Sequence, residues 1–550
     1  MSAAFELAAA RETEAGSMDR FARLLDDLLF SPSRLTKLRL MKEYFAEAPD
    51  PDRGYALAAL TGGLDFRFAK PATIRQLVES RIDAALFAWS YDYVGDLAET
   101  AALIWPGTAV ANAPAPRLSA IVAALDGATR ADVARLLAMW FDQLEPTGRW
   151  ALIKLITGGL RVGVSARLAK TALAEMGGID VAEVEELWHG LTPPYTDLFA
   201  WLEGRGPKPT VDHAGIFRPI MLAHALDEAE LATMAPGDFR AEWKWDGIRV
   251  QLVARHGRRR IYSRTGDEIS GSFPDVVQAL DFDAVLDGEL LVRRGDDVAP
   301  FNDLQQRLNR KLVNDKMLEA YPAFVRLYDI LFEGEEDLRM LPFDERRARL
   351  ESFYARHIAG TNLAARFDVS PMIPFSDWDM LREIRAGADV RASEGVMLKR
   401  ADSPYVAGRP KGLWFKWKRV AATIDAVLMY AQRGHGKRSS FYSDFTFGCW
   451  REAPDGGREL VPVGKAYFGF TDAELAQLDR WVRAHTTERF GPVRAVEPRL
   501  VCELAFDGVQ RSTRHKSGLA LRFPRIHRIR WDKPAKEADR IETLAAMIPD

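Results

Sequence analysis

Apolar positions change their period twice along the chain. Over residues 18–204 they recur at helical spacing, as in Leu24, Leu25, Leu28 and Leu29 and again in Leu38, Met41 and Phe45, so this stretch predicts helices. The run Gly204-Arg205-Gly206-Pro207-Lys208-Pro209 has the composition of a linker. Alternation of period two follows it. Strands are predicted at 239–245, 249–254, 260–264, 284–292, 325–332, 395–400 and 413–418, with a helix over 344–358 among them. From Ile424 onward, strands at 426–430, 445–450, 466–470 and 500–506 surround a helix at 472–484. Several short strands with one inserted helix suggest a small β-barrel, with an OB-fold the leading candidate. The fold class is multidomain: all-α over 1–206, α+β over 207–419 and a C-terminal β-barrel OB-fold over 420–550.

The helical region repeats itself. Ala56-Leu57-Ala58-Ala59-Leu60-Thr61-Gly62-Gly63-Leu64 recurs as Ala151-Leu152-Ile153-Lys154-Leu155-Ile156-Thr157-Gly158-Gly159-Leu160. Each copy follows a Pro-containing turn. Basic residues come after each, Arg67 and Lys70 in the first, Arg161 and Arg167 in the second. Two copies so far apart do not make a solenoid, and a pseudo-two-fold helical domain fits better. The Gly-Gly steps either cap helices or bring backbone amides up to a phosphate.

Composition narrows the class. With 550 residues, 47% of them hydrophobic, the chain can bury several cores. The two cysteines, Cys449 and Cys502, form no Cys-x-x-Cys pair, so neither a disulfide framework nor a structural zinc site is expected. No run is long and apolar enough for a membrane span, and residues 1–17 lack a secretory pattern, so a cytoplasmic protein is expected, with a loose extension before Met18. Formal net charge is −3. Basic residues cluster all the same: Arg34, Lys37, Arg39 and Lys42; Arg255 and Arg258 to Arg260; and Arg522, Arg525, His527, Arg528, Arg530 and Lys533. Any one cluster reads as a solvated face. Three of them raise the case for a polyanionic partner.

The densest chemistry lies in Glu242-Trp243-Lys244-Trp245-Asp246-Gly247-Ile248-Arg249. On a strand, Glu242 and Lys244 point one way and the two tryptophans the other, which offers an amine and a carboxylate to one cleft. Alternation likewise pairs Asp287 with Glu289, and Lys416 with Lys418 and Trp414. Two lysines side by side repel unless solvated or bridged by an anion such as phosphate. Glu394 opens another strand, and Tyr328 could stack on a base.

The ordered set Lys244-Trp245-Asp246-Gly247, Ser263-Arg264-Thr265-Gly266, Asp287-Gly288-Glu289, Leu327-Tyr328-Asp329-Ile330, Glu394-Gly395-Val396-Met397 and Trp414-Phe415-Lys416-Trp417-Lys418 resembles the covalent nucleotidyltransferase superfamily. So does the segment from Leu521 to Lys533. With Leu155-Ile156-Thr157-Gly158-Gly159-Leu160-Arg161-Val162-Gly163 included, the chain is similar to three-domain ATP-dependent DNA ligases over nearly its whole length. The resemblance implies a DNA-binding domain, a nucleotidyltransferase (adenylation) domain and an OB-fold domain. It makes Lys244 the nucleophile toward the α-phosphorus of ATP. It assigns Glu242 to the adenine amino group, Tyr328 to stacking, and Arg249 and Arg264 to ribose and phosphates, Arg264 also to the 5′-phosphate of the nick. Lys416 and Lys418 would hold the α-phosphate. Glu289 and Glu394 would hold Mg²⁺ (or Mn²⁺ in its place) or the ribose. Arg525, Arg528, Arg530, Asp532 and Lys533 would orient pyrophosphate, with a hinge for the barrel near 418–422. Gly158, Gly159, Arg161 and Gly163 would contact DNA. Arg409-Pro410-Lys411-Gly412 departs from the family spacing by one residue, which leaves the α-phosphate role of Lys411 open. The implied partner is nicked double-stranded DNA, bound by a monomer without any membrane, in a bacterial cytoplasm at the nucleoid.

Other readings stay beside this one. Gly434-His435-Gly436-Lys437-Arg438-Ser439 fails as a P-loop, because Ala431 and Arg438 occupy the wrong positions, and reads as a basic loop touching DNA phosphates or a plain hairpin. An RNA ligase or capping-type nucleotidyltransferase shares most of the middle motifs, and an inactive DNA-binding relative is a third option. Glu242 and the helical region favour ATP and DNA. The lack of a cysteine cluster disfavours the NAD-dependent ligases.

Overall fold

The computed structural model of the chain describes residues 16–548 apart from 95, 108–113, 212–214, 296, 309, 311–312, 388–392, 420, 434–441, 454–455, 467–470, 491–492 and 513–515. Four expectations fall on residues outside this set: the extension over 1–15, position 420 in the expected hinge, the loop 434–439 and strand residues 467–470. By its internal contacts the chain forms two compact units. One comprises Met1–Gly178, Pro193–Pro207 and Ala421–Asp550, the other Ile179–Thr192 and Lys208–Val420.

The helical region begins with α1 (Met18–Phe30), α2 (Arg34–Glu47), α3 (Asp52–Thr61), α4 (Pro71–Glu79), α5 (Ala84–Val94) and α6 (Leu97–Ile104). It continues with α7 (Leu118–Asp126), α8 (Arg130–Gln143), α9 (Pro146–Thr157), α10 (Ala166–Gly177), α11 (Val181–Trp188) and α12 (Thr196–Leu202). The second set repeats the first in order, so the duplication extends well beyond the segment that betrays it in the sequence. Equivalent residues do equivalent work. Arg53 Nη1 donates to the Phe45 carbonyl at 3.0 Å, and Arg149 Nε to the Phe141 carbonyl at 2.5 Å. Thr61 and Thr157 each return a hydroxyl bond of 2.7 Å to the carbonyl four residues back. Gly62 (φ 78°) and Gly158 (φ 67°) end their helices in the left-handed conformation, where glycine has no Cβ penalty. Ser17, expected in a loose extension, instead caps α1 by accepting from the Arg20 amide at 3.3 Å.

The second unit takes in α11 as well. Its Glu186 accepts from Arg218 and from Arg339, each at 2.9 Å. Strands β1 (His224–Ala225), β2 (Phe239–Trp245), β3 (Ile248–Arg255), β4 (Arg258–Ser263), β5 (Ala284–Arg294), β6 (Asp297–Val298), β7 (Ala323–Glu333), β8 (Glu336–Asp337), β9 (Phe367–Val369), β10 (Met372–Ile373), β11 (Ser393–Arg400) and β12 (Trp414–Lys418) form two sheets. One runs β1-β12-β11-β2-β10. The other runs β4-β3-β5-β7-β8, with β6 on β5 and β9 on β7. Helices α13 (Pro274–Gln278), α14 (Phe301–Gln305), α15 (Asp315–Ala320), α16 (Phe343–His357) and α17 (Trp378–Gly387) lie between the strands in sequence. In the first sheet Phe239, Ala241, Val396, Leu398, Phe415 and Trp417 share one apolar cluster. Alternation therefore turns Glu242, Lys244, Met397, Lys399 and Lys416 to the opposite face.

The C-terminal part of the first unit is a curled antiparallel sheet. It comprises β13 (Ala422–Arg433), β14 (Tyr442–Glu452), β15 (Arg458–Ala466), β16 (Thr486–Phe490), β17 (Val493–Val496), β18 (Val501–Phe506) and β21 (Arg525–Arg530). The hairpin β19 (Gly508–Arg511) and β20 (Leu519–Arg522) pairs separately. Long β13 bonds to β14 with its C-terminal part and to β18 with its N-terminal part, and this sharing curls the sheet. Of the strand expected at 466–470, only Ala466 is described, and it belongs to β15. Helix α18 (Asp472–Ala484) opens with a capping box between Thr471 and Glu474. A short α19 (Ile541–Ala545) follows the last strand.

Candidate active site

Lys244 stands at the end of β2, and its Nζ lies 2.5 Å from Glu394 Oε2. That contact depends on a break in the register between β2 and β11, where pairing jumps from Ser393↔Trp245 to Val396↔Trp243. Gly395 sits inside the break at φ 143°, and a Cβ there would come 2.3 Å from the Trp417 carbonyl oxygen. No other residue type fits this bulge without shifting β12. Lys418 Nζ approaches the same Glu394 oxygen at 3.4 Å. Burial raises the affinity of Glu394 for protons, but Lys244 and Lys418 outweigh it and hold the carboxyl below the usual range.

Lys416 faces the same side, paired across β11 with Met397 and, one strand further, with Glu242. Burial, then Arg409, Arg264, Lys244 and Lys418, push its ammonium below the ordinary lysine range. Arg264 lies in the exposed turn after β4, in the opposite sheet. Arg264, Arg409 and Lys416 have no ion-pair partner among the described residues. Such mutual repulsion is what an anion between them would relieve. Lys411 is exposed in the turn before β12, and Arg409 of the same segment is among the groups that act most strongly on Lys416. The segment thus brings Arg409 to the cluster.

Opposite, β3 and β5 pair Arg249 with Glu289. Glu289 is half-buried. Burial, with Glu394 and Asp246 nearby, pushes its carboxyl up to about 8 against the pull of Lys244 and Arg249. Arg249 is anchored from behind: Nη2 lies 2.6 Å from Asp287 Oδ2 and 2.9 Å from the Tyr405 hydroxyl, and Nη1 donates to the Met221 carbonyl at 2.5 Å. Asp287 is fully buried and also accepts from Tyr405 at 2.5 Å, so it orients Arg249. The Tyr328 ring centroid lies 5.9 Å from the Arg249 guanidinium and 4.6 Å from the Lys399 ammonium. Asp329, in the same motif, makes a wholly buried pair with Arg346 at 2.9 Å.

Glu242 is 2% exposed and pairs with Lys399 at 2.5 Å and Arg347 at 3.0 Å. Sequence reasoning missed Arg347, Lys399, Tyr405 and the proximity of Arg409. Strand alternation was a usable signal for Lys399, which stands on the Met397 face of β11. Arg347 on α16 and Tyr405 in a loop carry no local signal.

The other predicted residues lie in the first unit. Arg525, Arg528, Arg530 and Lys533 pair with Asp507, Glu503, Asp425 and Asp425 respectively, at 2.7–3.2 Å, and Asp532 pairs with Arg530 at 2.9 Å. The cluster of α2 is also occupied locally, Arg39 by Glu43 and Lys42 by Glu175. In the second unit, Arg255, Arg259 and Arg260 pair with Glu335, Asp281 and Glu268. In the turn after α9, Gly158 and Gly163 (φ 68°) are left-handed and so is Arg161 (φ 46°). Lys37 Nζ donates to the Val162 and Gly163 carbonyls at 2.8 and 2.9 Å. The equivalent turn of the first copy holds Asp65, which Lys70 neutralises at 2.5 Å.

Two sheets converge on a lysine–carboxylate pair beside Arg264, Arg409 and Lys416, which have no carboxylate partner among the described residues. Such a site is of the class suited to binding an anion next to an amine. Comparison narrows this class. The ATP dependent DNA ligase domain matches residues 220–418, and the ATP dependent DNA ligase C terminal region matches residues 438–533. A probable DNA ligase of Koribacter versatilis is 36% identical over 419 residues, covering 71% of this chain and 70% of that protein. A probable DNA ligase of Anaeromyxobacter dehalogenans is 31% identical over 541 residues, covering 94% and 96%. The solved structure Pmar-Lig_PreS3 shares the fold, with a TM-score of 0.59 at 17% identity over 93% of this chain and 99% of that one. The chain belongs to the ATP-dependent DNA ligases. An RNA-ligase or capping activity and an inactive relative are not favoured. Among the described residues no helix is long and apolar enough to cross a membrane.

Proposed function

We propose that the chain seals nicks in duplex DNA through a lysyl-AMP and then a DNA-adenylate, with Lys244 as the nucleophile. The carrying observation is the Lys244–Glu394 pair facing Lys416, itself crowded by Arg264 and Arg409. Lys244 Nζ would form a bond to the α-phosphorus of ATP as the bond to pyrophosphate breaks. Its ammonium proton must leave first, because only the free amine carries the lone pair that attacks. The 5′-phosphate of the nick would then take AMP from Lys244. The 3′-hydroxyl would attack that phosphate and expel AMP. Lys416, Lys418, Arg264 and Arg409 would neutralise the phosphates in each step, so catalysis rests on positioning and charge. Lys411, exposed in the turn before β12, would add a further cation for the phosphates.

In this reading Tyr328 stacks on adenine, Glu242 accepts from its amino group and Arg249 meets the ribose. Glu289 and Glu394 are hard oxygen donors on facing sheets, and a Mg²⁺ held by two carboxylates with phosphate and water fits them. Burial, with Glu394 and Asp246 close by, raises the Glu289 carboxyl, and a divalent cation between the carboxylates would oppose that rise. When bound, the ion would withdraw charge from the phosphates.

The reading extends to three functional domains over 1–206, 207–419 and 420–550, the last an OB-fold. Arg525, Arg528, Arg530, Asp532 and Lys533 would orient pyrophosphate after exchanging their present carboxylate partners. The turn carrying Gly158, Gly159, Arg161 and Gly163 would grip nicked duplex at the nucleoid, and one chain would suffice. Nick sealing and covalent labelling by α-labelled ATP, compared between wild type and Lys244→Ala, test the core of the proposal. Both signals should vanish in the variant, and sealing that survives would sink the mechanism.

A further inference from the structure

Glu242 is the one carboxylate of the site held by two cations that the family motifs leave without a role. Lys399 Nζ lies 2.5 Å from Oε2, and Arg347 Nη1 lies 3.0 Å from Oε1. Arg347 is fixed in turn, Nη2 donating to the Ser370 carbonyl and Nε to Glu351, each at 2.7 Å. Lys399 is 2% exposed, and its ammonium lies 4.6, 4.7 and 4.8 Å from the ring centroids of Tyr328, Trp414 and Phe343. Burying three charges together is costly, and an apolar cluster of equal volume would serve packing at least as well. The arrangement is better matched to a task that needs a carboxylate fixed in place beside an aromatic platform.

We propose that Lys399 and Arg347 are positioning residues for nucleobase selection. Together they hold Glu242 in one orientation, with the Lys399 ammonium also over the Tyr328 ring. An ionised carboxylate offers about four acceptor positions and no donor. The two cations occupy part of that capacity and leave the rest for the amino group of adenine. A base with a carbonyl in that place would set lone pair against lone pair and be rejected. Because the same ammonium touches the Tyr328 ring, Lys399 couples the reader of the base edge to the surface on which the base stacks. This inference rests on the proposed roles of Glu242 and Tyr328.

The test is the rate of Lys244 labelling in the full chain by α-labelled ATP and by inosine triphosphate, whose base carries a carbonyl where adenine carries its amino group. Both nucleotides are measured on one preparation, so a partly unfolded sample cancels in the ratio. Lys399→Met and Arg347→Met should lower the ATP preference in kcat/KM by about tenfold or more, chiefly through KM. Lys399→Arg should restore part of it, and Arg347→Lys serves if the methionine variant does not fold. Glu242→Gln separates the two layers of the argument. A wild-type ratio in the Lys399 and Arg347 variants, with the preference lost in Glu242→Gln, overturns the clamp and spares the base reader. A wild-type ratio in Glu242→Gln overturns the base reader, and the clamp falls with it. A rise in ATP preference in Lys399→Met would show that Lys399 donates to the base itself and would also overturn the clamp.

Discussion

Two carboxylates of neighbouring motifs, Asp287 and Asp329, never reach the cleft surface. Both are fully buried, each spent on an arginine: Asp287 orients Arg249, and Asp329 neutralises Arg346. Removing Asp329 would strand a buried guanidinium, so Asp329→Ala should destabilise the protein by about 3–5 kcal/mol, read as a lower midpoint in denaturant unfolding. A surface-like loss below about 0.5 kcal/mol would contradict the burial argument. Lys416 makes the opposite case, a cation without a carboxylate partner among the described residues. Its depressed proton affinity comes from burial and from like charges. A phosphate bound among those charges relieves the repulsion and raises the affinity again. ATP binding should therefore take up protons at alkaline pH, between the lowered value of Lys416 and the ordinary lysine value near ~10.4. Calorimetry in two buffers of different ionisation enthalpy would detect the uptake, and Lys416→Met should abolish its larger part.

Strands give the site its precision, and one irregularity aims it. The bulge at Gly395 brings Glu394 round to Lys244, which a continuous β11 would not do. Gly395→Ala should therefore lower Lys244 labelling by about 10²-fold, the usual cost of misplacing a reacting group by an ångström. Circular dichroism should show an otherwise intact fold, and labelling within threefold of wild type would refute the assignment. Alternation along single strands made half of this face legible in the sequence. It put Glu242 with Lys244 and Lys416 with Lys418, because a strand turns every second side chain to one side. It could not show that Lys244 meets Glu394, since that contact spans two strands distant in sequence and a register break. Arg347 and Tyr405 were hidden for a related reason. Each comes from a helix or loop whose own pattern is satisfied without reference to the site. The helical repeat was legible only where its glycine caps force identity, while its other helices keep spacing and caps but vary their side chains.

For the whole molecule, the near-zero net charge goes together with local pairing. Most residues of the three basic clusters carry an acidic partner at salt-bridge distance. DNA affinity should then come from few phosphate contacts, and its salt dependence should be shallow for a protein of this size. Arg161→Ala should reduce the slope of log K against log salt on nicked duplex by about 1, as read from fluorescence anisotropy at several salt concentrations. An unchanged slope would remove Arg161 from the DNA contacts. The duplicated helices carry one more implication. Two equivalent turns on a duplex would grip its antiparallel strands alike, and such a clamp could not sense direction. A nick has direction, with phosphate on one side and hydroxyl on the other. Asp65 tied to Lys70 in one copy, against Arg161 in the other, breaks the equivalence. The duplication would thus supply the reach of a symmetric clamp, and a few diverged side chains would give it a compass.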